Sequence, residues 1–234
     1  MKLIVTGATG FVGTEIIRQA LRSSAITSVV ALARKPVSFD HEEGKEKLKS
    51  VVIREYDEYP DEVKAEFSGA GACIWTVAIT PGKSKMYDFE VVKRICQDSP
   101  IAGFKAMIEA GPAKPFQFMY FSGSGIEQDP KKTPMFMGDY LVMRGETEKK
   151  ITEIASSNSV DVCIARPGII SSTQTIAKSL LSFAAMLVPV VPSVSLEQVA
   201  AACLRQVTGE KGFEKDILEN ADLARIGKDA LKEK

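Results

Sequence analysis

The amino-acid sequence predicts a three-layer α/β architecture in which one doubly wound parallel sheet is covered by helices on both faces. Three observations predict it. A glycine-rich stretch, Thr6-Gly7-Ala8-Thr9-Gly10-Phe11-Val12-Gly13, joins an apolar run to a helical pattern. Short continuous apolar runs, such as Ser28 to Ala33 (SVVALA), have the character of strands buried on both faces. Such runs alternate with helical patterns along the chain, the βαβ rhythm of a parallel sheet. With 234 residues, 45% hydrophobic and 26% charged, the chain suits one well-buried domain spanning 1–234.

Taken in order, Lys2 to Val5 is a short buried strand and Phe11 to Leu21 a helix with Ile16, Ile17, Ala20 and Leu21 at helical spacing. Ser28 to Ala33 is the second strand and completes the first βαβ unit. Pro36 to Lys49 is a polar loop holding the only histidine, His41, which as a lone residue among charges is read as solvent-exposed with no catalytic role. Lys49 to Arg54 is the third strand. A short helix follows, with Pro60 at its N1 position and Gly69 closing it. Ala72 to Thr76 is the fourth strand. Ser84 to Gln97 is helical, and Ser99-Pro100 caps a separate helix, with Pro100 at N1, that runs to Ala110 before Gly111.

Phe116 to Phe121 is the fifth strand and ends in Ser122-Gly123-Ser124-Gly125. A loop rich in proline and lysine leads to a long helix from Asp139 to about Ser156. Asp161 to Ala165 is the sixth strand, followed by Arg166-Pro167-Gly168-Ile169. Thr175 to Val188 reads as an apolar helix, and Ser195 with Gln198 forms a capping box that opens a helix from Leu196 to Val207. A last strand and helix follow from ILENADLARIGK. Residues 171–234 are expected to form a small C-terminal subregion on the substrate side.

Composition narrows the function classes. Thirty basic and thirty acidic residues give no net charge, and no run gathers Lys and Arg, so nucleic acid is not an expected ligand. The four cysteines, Cys73, Cys96, Cys163 and Cys203, are far apart without a CxxC pair, which predicts reduced, buried thiols and no metal site. Met1 leads straight into a strand with no leader pattern, so a cytoplasmic location is expected. Ile176 to Val194 is nineteen residues long and mostly apolar, but Lys178, Pro189 and Pro192 interrupt it. A buried or dimer-forming helix is favoured there over membrane-surface contact, and no transmembrane segment is expected. The chain is expected to be a monomer or homodimer acting on a small molecule.

The glycine turn carries the first chemistry. Gly7 suits the tight turn out of the strand, Gly10 lets a pyrophosphate approach the backbone, and Gly13 allows close packing of helix on sheet. Unpaired amides at the helix start then face the diphosphate. Gly7, Thr9, Gly10, Phe11 and Val12 are therefore the expected dinucleotide-binding set. After the second strand, where an NAD-specific protein carries an acid, this chain has Arg34-Lys35, a cation pair suited to the 2′-phosphate of NADP(H).

The stretch TGATGFVG resembles the TGxxGxxG fingerprint of short-chain dehydrogenases/reductases, particularly their atypical and extended branches. YLVMRGETE (140–148) is similar to the YxxxKGExE run of the NmrA-like and Tat-interacting-protein-like atypical group, and ILENADL looks like that group's tail. The resemblance covers nearly the whole chain and implies a single NAD(P)-binding Rossmann domain. It further implies that Thr76, Val77 and Ala78 line the cofactor beside the nicotinamide ribose, that Asp57 contacts the adenine, and that Pro167, Gly168 and Ile169 close over the nicotinamide. In this family a Tyr passes the proton, a Ser hydrogen-bonds the carbonyl, and a Lys four residues after the Tyr lowers its pKa. By alignment Tyr140 is the acid/base and a cofactor contact, and Ser124 (or Ser122) the polariser.

Residue 144 departs from the pattern, being Arg. An arginine is always charged and presents a wide planar fork, so Arg144 is expected to acidify Tyr140 and grip ribose hydroxyls without joining a lysine-centred proton relay. The reading that follows is an NADP(H)-dependent oxidoreductase acting on a carbonyl or activated alkene of a small molecule, in secondary metabolism. Its substrate would lie between the 126–138 loop and the 171–194 segment. The alternatives are a non-redox isomerase, cyclase or dehydratase on the same fold, motivated by Arg144, and a non-catalytic NADP-sensing regulatory protein.

Overall fold

Strand β1 (Lys2–Thr6) feeds through the glycine turn into helix α1 (Phe11–Arg22), and β2 (Ser28–Ala33) returns beside it. The computed structural model describes residues 1–234 except 41, 127, 130, 131, 133–136, 173–191, 210 and 234. His41, the 175–188 helix and much of the loop before Gly138 therefore lie outside the described residues. The chain continues through β3 (Leu48–Val52), α2 (Asp61–Phe67), β4 (Ala72–Trp75), α3 (Pro81–Ser84), α4 (Phe89–Lys93), α5 (Ser99–Glu109) and β5 (Gln117–Phe121). Helix α6 (Gly138–Asn158) leads to β6 (Asp161–Arg166), β7 (Ile169–Ser171), β8 (Ser193–Ser195), α7 (Leu196–Thr208), β9 (Ile217–Glu219) and α8 (Asn220–Lys232).

The main sheet has the order β3-β2-β1-β4-β5-β6-β9, and every neighbouring pair is parallel. The chain runs outward from β1 to β3, then returns to lay β4 on the other side of β1. That reversal leaves a crevice at the carboxyl ends of β1 and β4, where parallel α/β sheets bind ligands. Alternation along β1 shows why the strands read as continuously apolar. Leu3 and Val5 join Ile16, Ile17, Val199 and Leu223 on one face, whereas Ile4 joins Phe67, Trp75, Phe104 and Phe118 on the other. Phe104 and Phe118 stack with ring centroids 4.1 Å apart.

Within 171–234, β9 extends the main sheet beside β6, and α7 packs on α1, with Gln19 Nε2 donating to Glu197 O at 3.1 Å. Among the described residues, only β7 and β8 pair outside the main sheet. The capping box forms with both of its bonds, Gln198 N to Ser195 Oγ and Ser195 N to Gln198 Oε1, each 3.1 Å. All four cysteines are buried and free, and burial pushes the Cys163 thiol up to about 12.

The helical region after β4 differs from expectation. No break separates residues 89 to 109: α4 passes through a π turn (Arg94–Asp98) directly into α5. Pro100 has no N–H for the Cys96 carbonyl, and its ring would press on that carbonyl in a regular helix, which the wider π turn relieves. The freed Cys96 carbonyl accepts from Tyr120 Oη at 3.1 Å and from Arg144 Nη1 at 3.4 Å. Pro60 likewise stands one residue outside its helix, as the cap before Asp61.

Candidate active site

The glycine turn is sterically specified. Gly7 has φ +68°, and a Cβ on it would lie 2.7 Å from Thr76 Oγ1; a Cβ on Gly13 would lie 2.4 Å from Gly7 O. The start of α1 carries no side-chain cap and no acid in its first turn. Its first amides, on Phe11 and Val12, thus lack intrahelical and capping partners, and the helix dipole adds positive potential there. Thr9 and Gly10 are exposed, and Phe11 is 50% exposed at the lip of the crevice. An anion can reach this backbone without displacing a side chain, so the cradle fits a dinucleotide's diphosphate.

The loop after β4 meets the same turn. Thr76 N donates to Thr6 Oγ1 at 3.2 Å, while Thr76 Oγ1 donates to Thr6 O at 2.6 Å, locking the ends of β1 and β4 together. Val77 Cγ2 would lie 3.2 Å from a Cβ on Gly7, and Ala78 is exposed beyond it. At the end of β2, Arg34 and Lys35 are exposed, and neither pairs with a carboxylate among the described residues.

Asp57, the expected adenine contact, is held by an arginine. Both its oxygens are engaged by Arg94, at 2.7 and 3.1 Å, and these bonds hold its carboxyl below the ordinary range. The π turn swings Arg94 into this position, and no sequence signal marks it.

The residues expected to be catalytic come from the turn after β5 and from α6, the latter packed on the loop after β4. Ser122 N donates to Ala165 O at 2.8 Å and Ser124 N to Pro167 O at 3.0 Å, so the serine turn and the Pro167-Gly168 turn lie side by side. Ser122 Oγ is buried without a partner. Tyr140 is buried, and its hydroxyl donates to Ile79 O at 2.9 Å. Burial raises its pKa, outweighing the opposing charge of Arg144. Arg144 pulls in the expected direction, toward a lower pKa, but desolvation of the phenolate outweighs it.

Arg144 is also not placed to grip a ribose. It is 1% exposed, with Nη2 donating to Phe121 O at 2.5 Å, Nη1 to Cys96 O at 3.4 Å, and its guanidinium 4.9 Å from the centre of the Tyr120 ring. Its Nε has no partner. Arg144 braces the end of β5 against the π turn, because the long guanidinium fork reaches carbonyls that a shorter lysine would not. Helix α6 begins from Met137 in the left-handed conformation, φ 57°. A cavity of about 340 Å³ opens beside it, walled by Tyr87, Phe89, Val92, Met137, Asp139 and Tyr140. The Tyr87-Phe89 wall was not foreseen from sequence, since that stretch reads as helix.

Gly168 and Ile169, expected to close over the nicotinamide, follow β6. Gly168 N donates to Asn220 Oδ1 at 2.9 Å, a Cβ on Gly168 would strike Pro192 O at 1.9 Å, and Ile169 stands 55% exposed. Two apolar side chains, Phe11 and Ile169, are thus presented at the crevice. A larger cavity, about 960 Å³, lies between α6 and β6 near Val162, Lys211 and Phe213, at the strands' amino ends and away from the glycine turn. Among the described residues no cluster of three or more His, Cys, Asp or Glu could hold a metal, and no helix is long and apolar enough to cross a membrane.

Comparison with known proteins agrees with this geometry. Vestitone reductase from alfalfa (Medicago sativa L.) superposes with a TM-score of 0.68 at 20% identity, over 91% of this chain and 74% of that one. The dTDP-glucose 4,6-dehydratase DesIV from Streptomyces venezuelae, solved with NAD bound, gives 0.68 at 16% identity over 99% and 81%. In sequence, the leucinostatins biosynthesis cluster protein T of Purpureocillium lilacinum is 27% identical over 186 residues, 77% of this chain; the chain spans 62% of that relative's length. The model of the family described as NAD(P)H-binding matches residues 7–210. With its glycine turn, parallel-strand order and family match in agreement, the chain belongs to the NAD(P)H-binding family.

Proposed function

We propose that the protein is an NADPH-dependent reductase of a carbonyl or activated alkene in a small molecule. The observation that carries this reading is the pairing of an uncapped α1 start with two exposed cations just after β2 that have no carboxylate partner among the described residues. The first suits a diphosphate and the second an additional 2′-phosphate. When bound, NADPH supplies the hydride. Gly7, Thr9, Gly10, Phe11 and Val12 hold the diphosphate, Arg34 and Lys35 the 2′-phosphate, and Thr76 to Ala78 with Pro167 to Ile169 flank the nicotinamide end.

Tyr140 supplies the proton. Its raised pKa keeps it as an O–H donor at neutral pH, which suits reduction, where the substrate oxygen must gain a proton. It does so after exchanging Ile79 O for the substrate oxygen. Ser124, whose hydroxyl has no partner among the described residues, orients that oxygen. Arg144 acts from beneath as a brace. A relative encoded in a biosynthesis cluster supports a place in small-molecule biosynthesis.

The test is NADPH oxidation, followed by absorbance, across a panel of ketones, aldehydes and enones. Turnover of a subset supports the reading, and no turnover across the panel overturns it. A second reading, a non-catalytic NADP sensor, is favoured by one observation: Tyr140 and Arg144 both spend their donors on backbone carbonyls. NADPH binding together with full biological activity of Tyr140→Phe would select it.

A further inference from the structure

We propose that Glu148 is a positioning residue that fixes the turn 166–169 against helix α6, so that binding of the nicotinamide half of the cofactor depends on it while binding of the adenosine half does not. This rests on the dinucleotide reading above. Glu148 lies two turns beyond Tyr140 on α6, and its side chain is 1% exposed. Arg166, the last residue of β6, meets its carboxylate with both arms: Nε donates to Oε1 at 3.0 Å and Nη2 donates to Oε2. Gln128, from the loop after β5, donates to the same Oε2 at 2.8 Å. One buried carboxylate therefore joins the substrate-side loop, the helix bearing Tyr140 and the root of the Pro167-Gly168 turn.

The far side of the turn is held separately. Arg166 Nη1 reaches Glu219 Oε1 at 3.2 Å, and the next residue, Asn220, accepts from Gly168 N at 2.9 Å while donating to Ser193 O at 3.2 Å. Two backbone bonds, Ser124 N to Pro167 O and Ile169 N to Pro192 O, each 3.0 Å, hold the turn where it has no helix or ladder of its own, and side chains complete its fixing. A buried ion pair contributes little net stability against an apolar replacement, but a two-pronged arginine-carboxylate pair sets distance and orientation together. The position of this pair is specific as well. Arg166 ends β6 and Arg34 directly follows β2, four strands apart in the sheet, a separation of roughly 19 Å at about 4.8 Å per strand. A change at Glu148 is felt at the nicotinamide end and not at the cations.

The experiment compares two ligands by titration calorimetry on the full chain: NADPH, and 2′,5′-ADP, which carries only the adenosine half and its 2′-phosphate. Glu148→Gln keeps the shape and removes the charge; Arg166→Lys keeps the charge and removes one arm. The expected result is NADPH affinity weaker by about tenfold in both variants, the loss of one charge-assisted contact, with 2′,5′-ADP within about twofold of the parent. Equal weakening of both ligands, or no change in either, overturns the positioning role. If Glu148→Gln does not fold by circular dichroism, Arg166→Lys carries the comparison. Failure of the parent protein to bind NADPH overturns the cofactor reading and this role with it, whereas a parent that binds and variants that do not discriminate overturn this role alone.

Discussion

Removing Arg34 isolates the cofactor preference. The side chain is exposed at the end of β2 and has no carboxylate partner among the described residues, so Arg34→Ala breaks no internal contact. Stability should stay within about 0.5 kcal/mol of the parent. A hydrogen bond to a charged group contributes about 1.5–3 kcal/mol, and solvent screening at an exposed site selects the low end. The NADPH dissociation constant should therefore rise about tenfold, since each 1.4 kcal/mol is a factor of ten. NADH, lacking the 2′-phosphate, should bind as before. Lys35→Ala should cost less, about threefold to fivefold, because an ammonium is a point charge without a fork. The sole tryptophan, Trp75, stands at the carboxyl end of β4 beside the expected cofactor site, so quenching of its emission provides the titration signal. Parallel titrations in low and high salt should converge for NADPH as screening removes the phosphate contact. An equal loss for NADH and NADPH, or unchanged NADPH affinity in Arg34→Ala, would refute the 2′-phosphate assignment.

Four further outcomes follow from the geometry. Tyr140→Phe loses the bond to Ile79 O, costing about 1 kcal/mol of stability; if Tyr140 is the proton donor, turnover should fall at least about a hundredfold with NADPH affinity unchanged. Burial holds the Tyr140 hydroxyl above its ordinary 10.0, and the protonated form is the donor, so the reduction rate should stay level through neutral pH and fall only above about pH 10. Gly13→Ala would set a Cβ 2.4 Å from Gly7 O; overpacking of about 2 kcal/mol should lower the melting temperature by roughly 4–8 °C and weaken NADPH as α1 is pushed off the turn. Asp57 is held below its ordinary 3.8 by Arg94, so its contribution is present above pH 3.8 and is lost as pH falls through the lower folded value. Asp57→Asn should lower the melting temperature by about 1–2 °C at pH 7 and leave it unchanged near pH 2, read by scanning calorimetry.

The cradle was legible because its causes are local. Gly7, Gly10 and Gly13 sit within seven residues, and each is required by contacts across one turn, so spacing alone conveys their geometry. Arg34 and Lys35 were legible for the same reason, as the first residues after a strand. The capping box at Ser195 and the paired faces of β1 follow the same logic. The Ser99-Pro100 stretch was misread as a helix start because proline has two helical uses, at N1 and within a π turn, and only packing of Arg144 and Tyr120 onto the Cys96 carbonyl separates them.

What the sequence by itself determined, then, is the parallel α/β scaffold, the family and the geometry of the glycine turn, because periodicity and glycine spacing act over a few residues. Tertiary structure alone decided what the conspicuous side chains do. Tyr140 finds a carbonyl 61 residues away at Ile79, and Arg144 finds carbonyls 23 and 48 residues away at Phe121 and Cys96. Backbone carbonyls are identical in every residue and leave no mark in the sequence, so their capture of a buried donor is visible only once the fold has brought them together.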